Sequence, residues 1–233
     1  HYIHLVELFK AWDYNDSRIA ASCPFLIQDP LFNALLIRSY EGLIRLGKLL
    51  GHKDEVARLQ QWQARSLSNF HRKLYSPQKK AYVYYDLRAN RQLEDVSSSS
   101  FVPLFAGIPN AATAGEIVAR HFEGGSFSGA GGAYFLCASY DPSSPSFDPK
   151  RYWRGPVWIN LNWLIFHGFR RYGFEDLAEK IRSDTLELIL ECGFYEYFDP
   201  RRDLGPGLFR GYGGTNFSWT AALYLDLIKR QAK

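Results

Sequence analysis

Apolar residues along this 233-residue chain recur mostly at three- and four-residue steps, the spacing of an amphipathic helix face. Asp29-Pro30 opens the clearest run. The carboxylate suits an N-cap, and proline, with fixed φ and no N–H, suits the first helical position. Phe32, Leu36, Tyr40, Leu43, Leu46 and Leu50 follow on one side, and Gly51 supplies the stop. The pattern resumes at Asp54 with Val56, Leu59, Trp62, Leu67, Phe70 and Leu74; so short a connection predicts antiparallel neighbours. A second hairpin opens at Pro156, with Val157, Leu161, Leu164, Ile165, Phe169 and Tyr172 ahead of Gly173. Leu177, Ile181, Leu188 and Ile189 continue it to Gly193. A last helix runs from about Asn216 through Trp219, Leu223 and Leu227. With His1–Trp12 and a shorter Ala111–His121 segment, the pattern predicts about seven helices.

The intervening stretches read differently. Ala81–Asp95 alternates aromatic and polar residues around Tyr82 and Tyr84, as a small β-hairpin does. Gly124–Asp148 is rich in Gly, Ser and Pro, and Tyr197–Gly214 carries Gly205, Gly207, Gly211, Gly213 and Gly214; both read as long loops, which in a compact domain serve function or motion. No low-complexity linker divides residues 1–233, so the expectation is one all-α domain. Periodicity alone fits a toroid of helix hairpins or a generic bundle.

Composition narrows the function. Hydrophobic residues make up 46% and charged ones 22%, the balance of a folded domain. The formal charge is +4 and the 28 Lys and Arg are scattered, which argues against nucleic acid while leaving room for a small anionic substrate. Cys23, Cys137 and Cys192 are far apart and odd in number, predicting free, mostly buried thiols and no zinc site. The six His show no metal spacing, so neither metal nor cofactor is expected. His167 reads as a core histidine, and Gly124-Gly125 and Gly131-Gly132 as loop residues rather than a phosphate cradle. His1, His4, Glu7, Lys10 and Asp13 interrupt any leader-like run, and Val157–Phe166 is too short to span a bilayer; the expectation is a soluble, cytoplasmic protein. The chain has no Met and opens in mid-pattern, as a fragment does.

Aromatic residues reach 16%, with six Trp and 15 Tyr. Such surface either fills a core or grips flat apolar faces such as sugar rings. It concentrates in Arg151-Tyr152-Trp153-Arg154-Gly155-Pro156-Val157-Trp158, where two Trp flank a Gly-Pro helix start; the plainer reading makes Trp153 and Trp158 core anchors. A second concentration is Gly193-Phe194-Tyr195-Glu196-Tyr197-Phe198-Asp199-Pro200, which sets a carboxylate among four aromatics. Apolar surroundings make a carboxylate useful in acid–base work. Alternation also allows a surface Glu196 with inward-pointing neighbours, and Asp199-Pro200 is most simply a turn.

These segments in this order, YWRGPVWINLNW, GFYEYFDP and NFSWTAALYLDL, resemble glycoside hydrolase family 63, and within it the bacterial glucosylglycerate and mannosylglycerate hydrolases. Ser22–Ala34 and Ser97–Gly107 also fit, so the likeness covers essentially the whole chain. The resemblance implies an (α/α)6 barrel, of which this chain is the C-terminal portion. It also implies an inverting mechanism, in which one carboxylic acid protonates the leaving oxygen and a carboxylate on the opposite face activates water. It puts the base at Glu196 and a sugar pocket at Tyr152, Trp153, Gly155 and Trp158. One departure stands out: the family's acid lies in an SG-x-D-N-S-x-R-W segment, which Asp13, Asp29, Asp141, Asp148 and Asp203 do not match. The implied activity is hydrolysis of a small α-glycoside such as mannosylglycerate or glucosylglycerate. The alternative is a non-catalytic carbohydrate-binding fragment or subunit. A sugar epimerase on a similar toroid fits less well, because those enzymes lean on histidines.

Overall fold

The computed structural model describes residues 2–204 and 210–229. Gly205 and Gly207 lie outside the described residues. Helix boundaries follow local chemistry closely. Asp29 Oδ1 accepts the N–H groups of Leu31 (2.6 Å) and Phe32 (3.3 Å), two donors that the first helical turn leaves unpaired. The helix that begins there, Pro30–Leu50, ends where Gly51 turns left-handed at φ +77°.

In chain order the helices are α1 (Tyr2–Ala11), α2 (Asp16–Ser22), α3 (Pro30–Leu50), α4 (Lys53–Leu74), α5 (Val102–Phe105), α6 (Ala111–His121), α7 (Ile159–Arg171), α8 (Glu175–Cys192) and α9 (Ser218–Lys229). The expected pairs, α3 with α4 and α7 with α8, pack against each other. The all-α expectation needs a small correction: short antiparallel strands accompany a mostly helical chain. The strands are β1 (Ile27–Gln28), β2 (Tyr75–Ser76), β3 (Ala81–Tyr82), β4 (Tyr84–Asp86), β5 (Arg91–Leu93), β6 (Tyr195–Phe198) and β7 (Gly211–Thr215). Sheets form in the orders β1-β4-β5, β2-β3 and β6-β7. The predicted hairpin within Ala81–Asp95 is β4-β5.

The main core joins Ile37 of α3, Phe70 of α4, Ile117 of α6, Ile165 and Phe169 of α7 and Ile181 of α8 around Phe101 and Leu104. A second cluster sets Phe135, Val157 and Phe198 against Leu188 and Ile189 of α8.

Four expectations change. Helix α2 has no counterpart among the predicted helices; its N-cap Asn15 accepts the Arg18 N–H at 2.9 Å. Helix α7 starts at Ile159 rather than Pro156, because Val157 is held extended: its N–H donates to Phe198 O (2.7 Å) and its C=O accepts from Phe198 N (3.0 Å). The expected loop after Glu196 instead begins and ends in the β6-β7 hairpin. And the face of α3 that periodicity singles out is the exposed one, while Ala34, Ile37 and Ile44 turn to the core. Among the described residues, no helix is long and apolar enough to cross a membrane.

Candidate active site

Strand β6 carries Glu196, and its partner strand is irregular opposite that residue. Tyr195 pairs with Thr215 and Tyr197 with Tyr212, so one residue of β6 faces two of β7, Gly213 and Gly214. Such a bulge re-aims a side chain and favours glycine where φ turns positive; Gly213 has φ +75°. A Cβ on Gly213 would lie 2.8 Å from Glu196 Cβ and 2.9 Å from Tyr197 Cε1, and would run into Glu196 Oε2. The hairpin thus closes over the carboxylate only because Gly213 has no side chain. Gly214 donates its N–H to Glu196 Oε2 at 3.2 Å.

The other carboxylate oxygen is met from the 148–155 loop. Tyr152 donates its hydroxyl to Glu196 Oε1 at 2.9 Å. That loop is tightly closed, with Asp148 N–H donating to Arg154 O (2.8 Å) and Arg151 N–H to Asp148 O (3.1 Å). A Cβ on Gly155 would sit 2.7 Å from the Asp148 carbonyl carbon and 2.9 Å from Pro149 Cα, rigid backbone that cannot yield. Gly155 therefore shapes the loop, and its N–H is taken by Ser139 Oγ at 3.1 Å. Tyr152 itself adopts φ +34°, an uncommon value for a residue with a side chain. Its carbonyl accepts the Trp158 indole N–H at 2.9 Å, which ties the strained residue to the start of α7.

The aromatic rings share one cluster. Trp153 stacks on Trp158 with centroids 3.8 Å apart, and Trp158 stacks on Tyr197 at 5.0 Å. Tyr152 stands edge-on to Trp158 at 4.8 Å and to Tyr197 at 5.2 Å. Trp158 is fully buried, whereas Trp153 and Tyr152 are 44% and 47% exposed. The core-anchor reading therefore holds for Trp158, and Trp153 and Tyr152 keep open surface. Glu196 is half-buried. Burial first, and then the Glu196 carboxylate, push the Tyr152 phenol above its ordinary range, so Tyr152 stays a protonated donor.

Trp153 and Arg154 also border a cavity of about 860 Å³ whose wall includes Asp29, Tyr84, Asp95, Ser97, Tyr140 and Asn160, with Phe25 and Phe32 at its apolar side. Trp153 is the sequence-predicted residue that joins the carboxylate cluster to this cavity; Glu196, Tyr152, Gly155 and Trp158 do not border it. The wall is polar and interlinked. Tyr84 and Ser97 hydroxyls are 2.9 Å apart, and the Tyr140 hydroxyl donates to Asp95. Burial raises the Asp29 carboxyl above its ordinary 3.8, against the two backbone N–H groups it caps. Sequence reasoning missed this wall. Its one available signal was the Asp29-Pro30 helix start, whose capping carboxylate lies on the wall.

Asp199 does more than turn the chain. Fully buried, it accepts the Arg201 backbone N–H (3.0 Å) and both Nε (3.0 Å) and Nη2 (2.7 Å) of that side chain, which anchors the end of β6. His167 sits half-buried against Trp163, ring centroids 4.3 Å apart, and 3.9 Å from Asp226, in keeping with a core histidine. The three cysteines are free, Cys23 and Cys137 buried and Cys192 half-buried. Among the described residues no group of three or more His, Cys, Asp and Glu side chains is placed to hold a metal ion.

Known proteins share this arrangement of chain. A mannosylglycerate hydrolase from Rubrobacter radiotolerans is 37% identical over 97% of this chain and 49% of its own length. One from Thermus thermophilus is 37% identical over 96% of this chain and 51% of its own. The solved structure of a GH63 mannosylglycerate hydrolase, also from Thermus thermophilus and in complex with Tris and D-glycerate, superposes with a TM-score of 0.86 at 36% identity. The match covers 98% of this chain and 52% of that one. The chain thus spans about half the length of the curated relatives it matches. The profile of the mannosylglycerate hydrolase MGH1-like glycoside hydrolase domain matches residues 1–220, and the chain belongs to that family.

Proposed function

We propose that this chain is the base-bearing part of an inverting glycoside hydrolase that acts on a small α-glycoside such as mannosylglycerate or glucosylglycerate. The observation that carries the reading is the hold on Glu196. Its two oxygens take one donor each, from Tyr152 and Gly214, so the carboxylate is oriented while lone pairs remain to accept a proton from water. An attacking water bound there meets an anomeric carbon when the pyranose lies against the open face of Trp153, with hydroxyls turned to the polar cavity wall. The charged substrates named fit the mildly basic chain.

Inversion needs a second carboxyl group about 6.5–9.5 Å from the base, leaving room for the water. No segment here matches the family's acid, so that group belongs to a part of the (α/α)6 barrel beyond this sequence. Because Glu196 alone in its cluster cannot run both halves of the chemistry, a carbohydrate-binding fragment is the second reading. Free thiols fit a reducing, cytoplasmic compartment.

The test is Glu196→Gln in a protein that carries the whole domain. Turnover of mannosylglycerate falls by about 10²–10⁴ with substrate binding little changed. Wild-type turnover in that variant would remove Glu196 from the mechanism. The result expected of the 233-residue chain alone is almost no hydrolysis; full activity from it would place the acid among its own aspartates.

A further inference from the structure

Residues 199–210 join strands β6 and β7. A two-residue turn sets the register of a hairpin by its own geometry, but a connection this long does not, so other contacts must set it. The register matters here. Strand β6 advances from Tyr195 to Phe198 while β7 runs from Gly211 to Thr215, one residue more, and the surplus is the bulge beside Glu196. A surplus residue stays in place only where its strand is held at both ends; otherwise the strand slides by one and absorbs it.

One end of β7 is held at the start of α9, where the Phe217 N–H donates to Phe194 O (2.9 Å) and the Thr220 hydroxyl to Tyr195 O (2.7 Å). The other end is held by Arg210. Its carbonyl accepts the Asp199 N–H at 2.8 Å. Its guanidinium then reaches back across the hairpin, with Nε donating to Arg201 O at 3.1 Å and Nη2 to Arg202 O. The remaining arm, Nη1, donates to Glu191 of α8. This side chain is only 19% exposed and lies beside the buried ring of Phe135, so water competes little for these bonds. Arginine carries its donors along a planar fork that can take two carbonyls and a carboxylate together; a lysine ammonium is a single point.

We propose that Arg210 is a positioning residue for Glu196. By fastening the arm that leaves β6 to the residue that enters β7, it keeps the bulge that aims the Gly214 N–H at Glu196 Oε2. It acts through the hairpin backbone. Its part in turnover rests on the reading of Glu196 as base; its hold on the bulge does not. Arg210 also ties the hairpin to α8 through Glu191, and the experiment separates the two roles.

Arg210→Lys keeps a cation beside Glu191 and loses the fork, whereas Glu191→Gln keeps the fork and loses the ion pair. Both are made in a protein that carries the whole domain and is labelled with isotopic glycine for nuclear magnetic resonance. The Gly214 amide signal is assigned by its absence in Gly214→Ala. Hydrogen exchange of that amide is followed without substrate, because its protection reports the bond to Glu196; kcat and KM for mannosylglycerate are measured alongside. The expected result for Arg210→Lys is exchange at Gly214 faster by about 10–100-fold, the scale of one lost hydrogen bond to a charged group. Its kcat falls by a similar factor with KM little changed. Glu191→Gln stays near wild type in both. Unchanged exchange at Gly214 in Arg210→Lys overturns the proposal. So does Glu191→Gln matching Arg210→Lys, which would make the residue a tether to α8. Faster exchange with wild-type kcat, in an enzyme that Glu196→Gln inactivates, overturns it as well. Should Arg210→Lys not fold, Arg210→Met/Glu191→Gln, which leaves neither member of the pair charged, is read in its place. Exchange is read without turnover, so full activity in Glu196→Gln removes the base while the hold of Arg210 on the bulge is still decided.

Discussion

The Tyr152 hydroxyl donates to Glu196 Oε1 across 2.9 Å, although the two residues stand on different segments, one in a strained loop and one on a bulged strand. Tyr152→Phe keeps the ring and removes this bond. A hydrogen bond to a charged group contributes about 1.5–3 kcal/mol, so kcat/KM in a complete-domain protein falls about 10–100-fold. The melting temperature stays near wild type, because the hydroxyl lies at the exposed edge of the cluster. Steady-state kinetics alongside a thermal melt check both halves.

Gly213→Ala separates position from strain. A side chain at φ +75° costs about 1–2 kcal/mol for backbone alone, and here its Cβ also meets Glu196. Gly131 supplies the control: its φ is +67°, and a Cβ there meets nothing within 4 Å. Gly131→Ala loses only the backbone cost, Gly213→Ala loses more through the added clash, and turnover collapses only for Gly213→Ala. Equal turnover in the two would show that the bulge does not hold the carboxylate.

The stacked tryptophans have opposite sensitivities. Trp158 is fully buried, and Trp158→Ala lowers stability by about 3–5 kcal/mol, read by urea unfolding. Trp153→Ala removes a half-exposed ring and costs far less stability. It weakens substrate binding instead, by about tenfold, the scale of one lost aromatic contact. Calorimetric titration with mannosylglycerate measures that loss.

Asp29 makes stability depend on pH. Burial raises its carboxyl above 3.8 in the fold, so between 3.8 and that higher value the unfolded chain releases its proton first. Stability from this residue is therefore greatest in acid and is lost as pH climbs through the interval. Asp29→Asn keeps an N-cap acceptor for Leu31 and Phe32 without the buried charge. Its stability relative to wild type rises with pH across that interval and levels off above it, as urea unfolding between about pH 3 and pH 7 would show. A pH-independent difference would mean that Asp29 titrates alike in both states.

Local chemistry along the chain determined where helices begin and end: the Asp29-Pro30 start, the Gly51 stop and the end of α8 at Gly193 are each decided by a few neighbouring residues. The motifs also singled out Tyr152, Trp153, Trp158 and Glu196, which the fold gathers into one cluster. The tertiary structure alone decided three things. Periodicity sees that α3 is apolar at Phe32, Leu36 and Leu43, but Ala34, Ile37 and Ile44 mark a second apolar side, and only neighbours distant in sequence select which is buried. The extended Val157 and the β6-β7 bulge depend on pairing with Phe198 and with Gly213–Gly214, which no local preference announces. The polar cavity wall draws on Asp29, Tyr84, Asp95, Ser97, Tyr140 and Asn160, of which Asp29 stands out locally only as a helix cap. A helix cap is satisfied within a few residues of itself, whereas a cavity exists only after separate segments converge, so the first can be read along the chain and the second cannot.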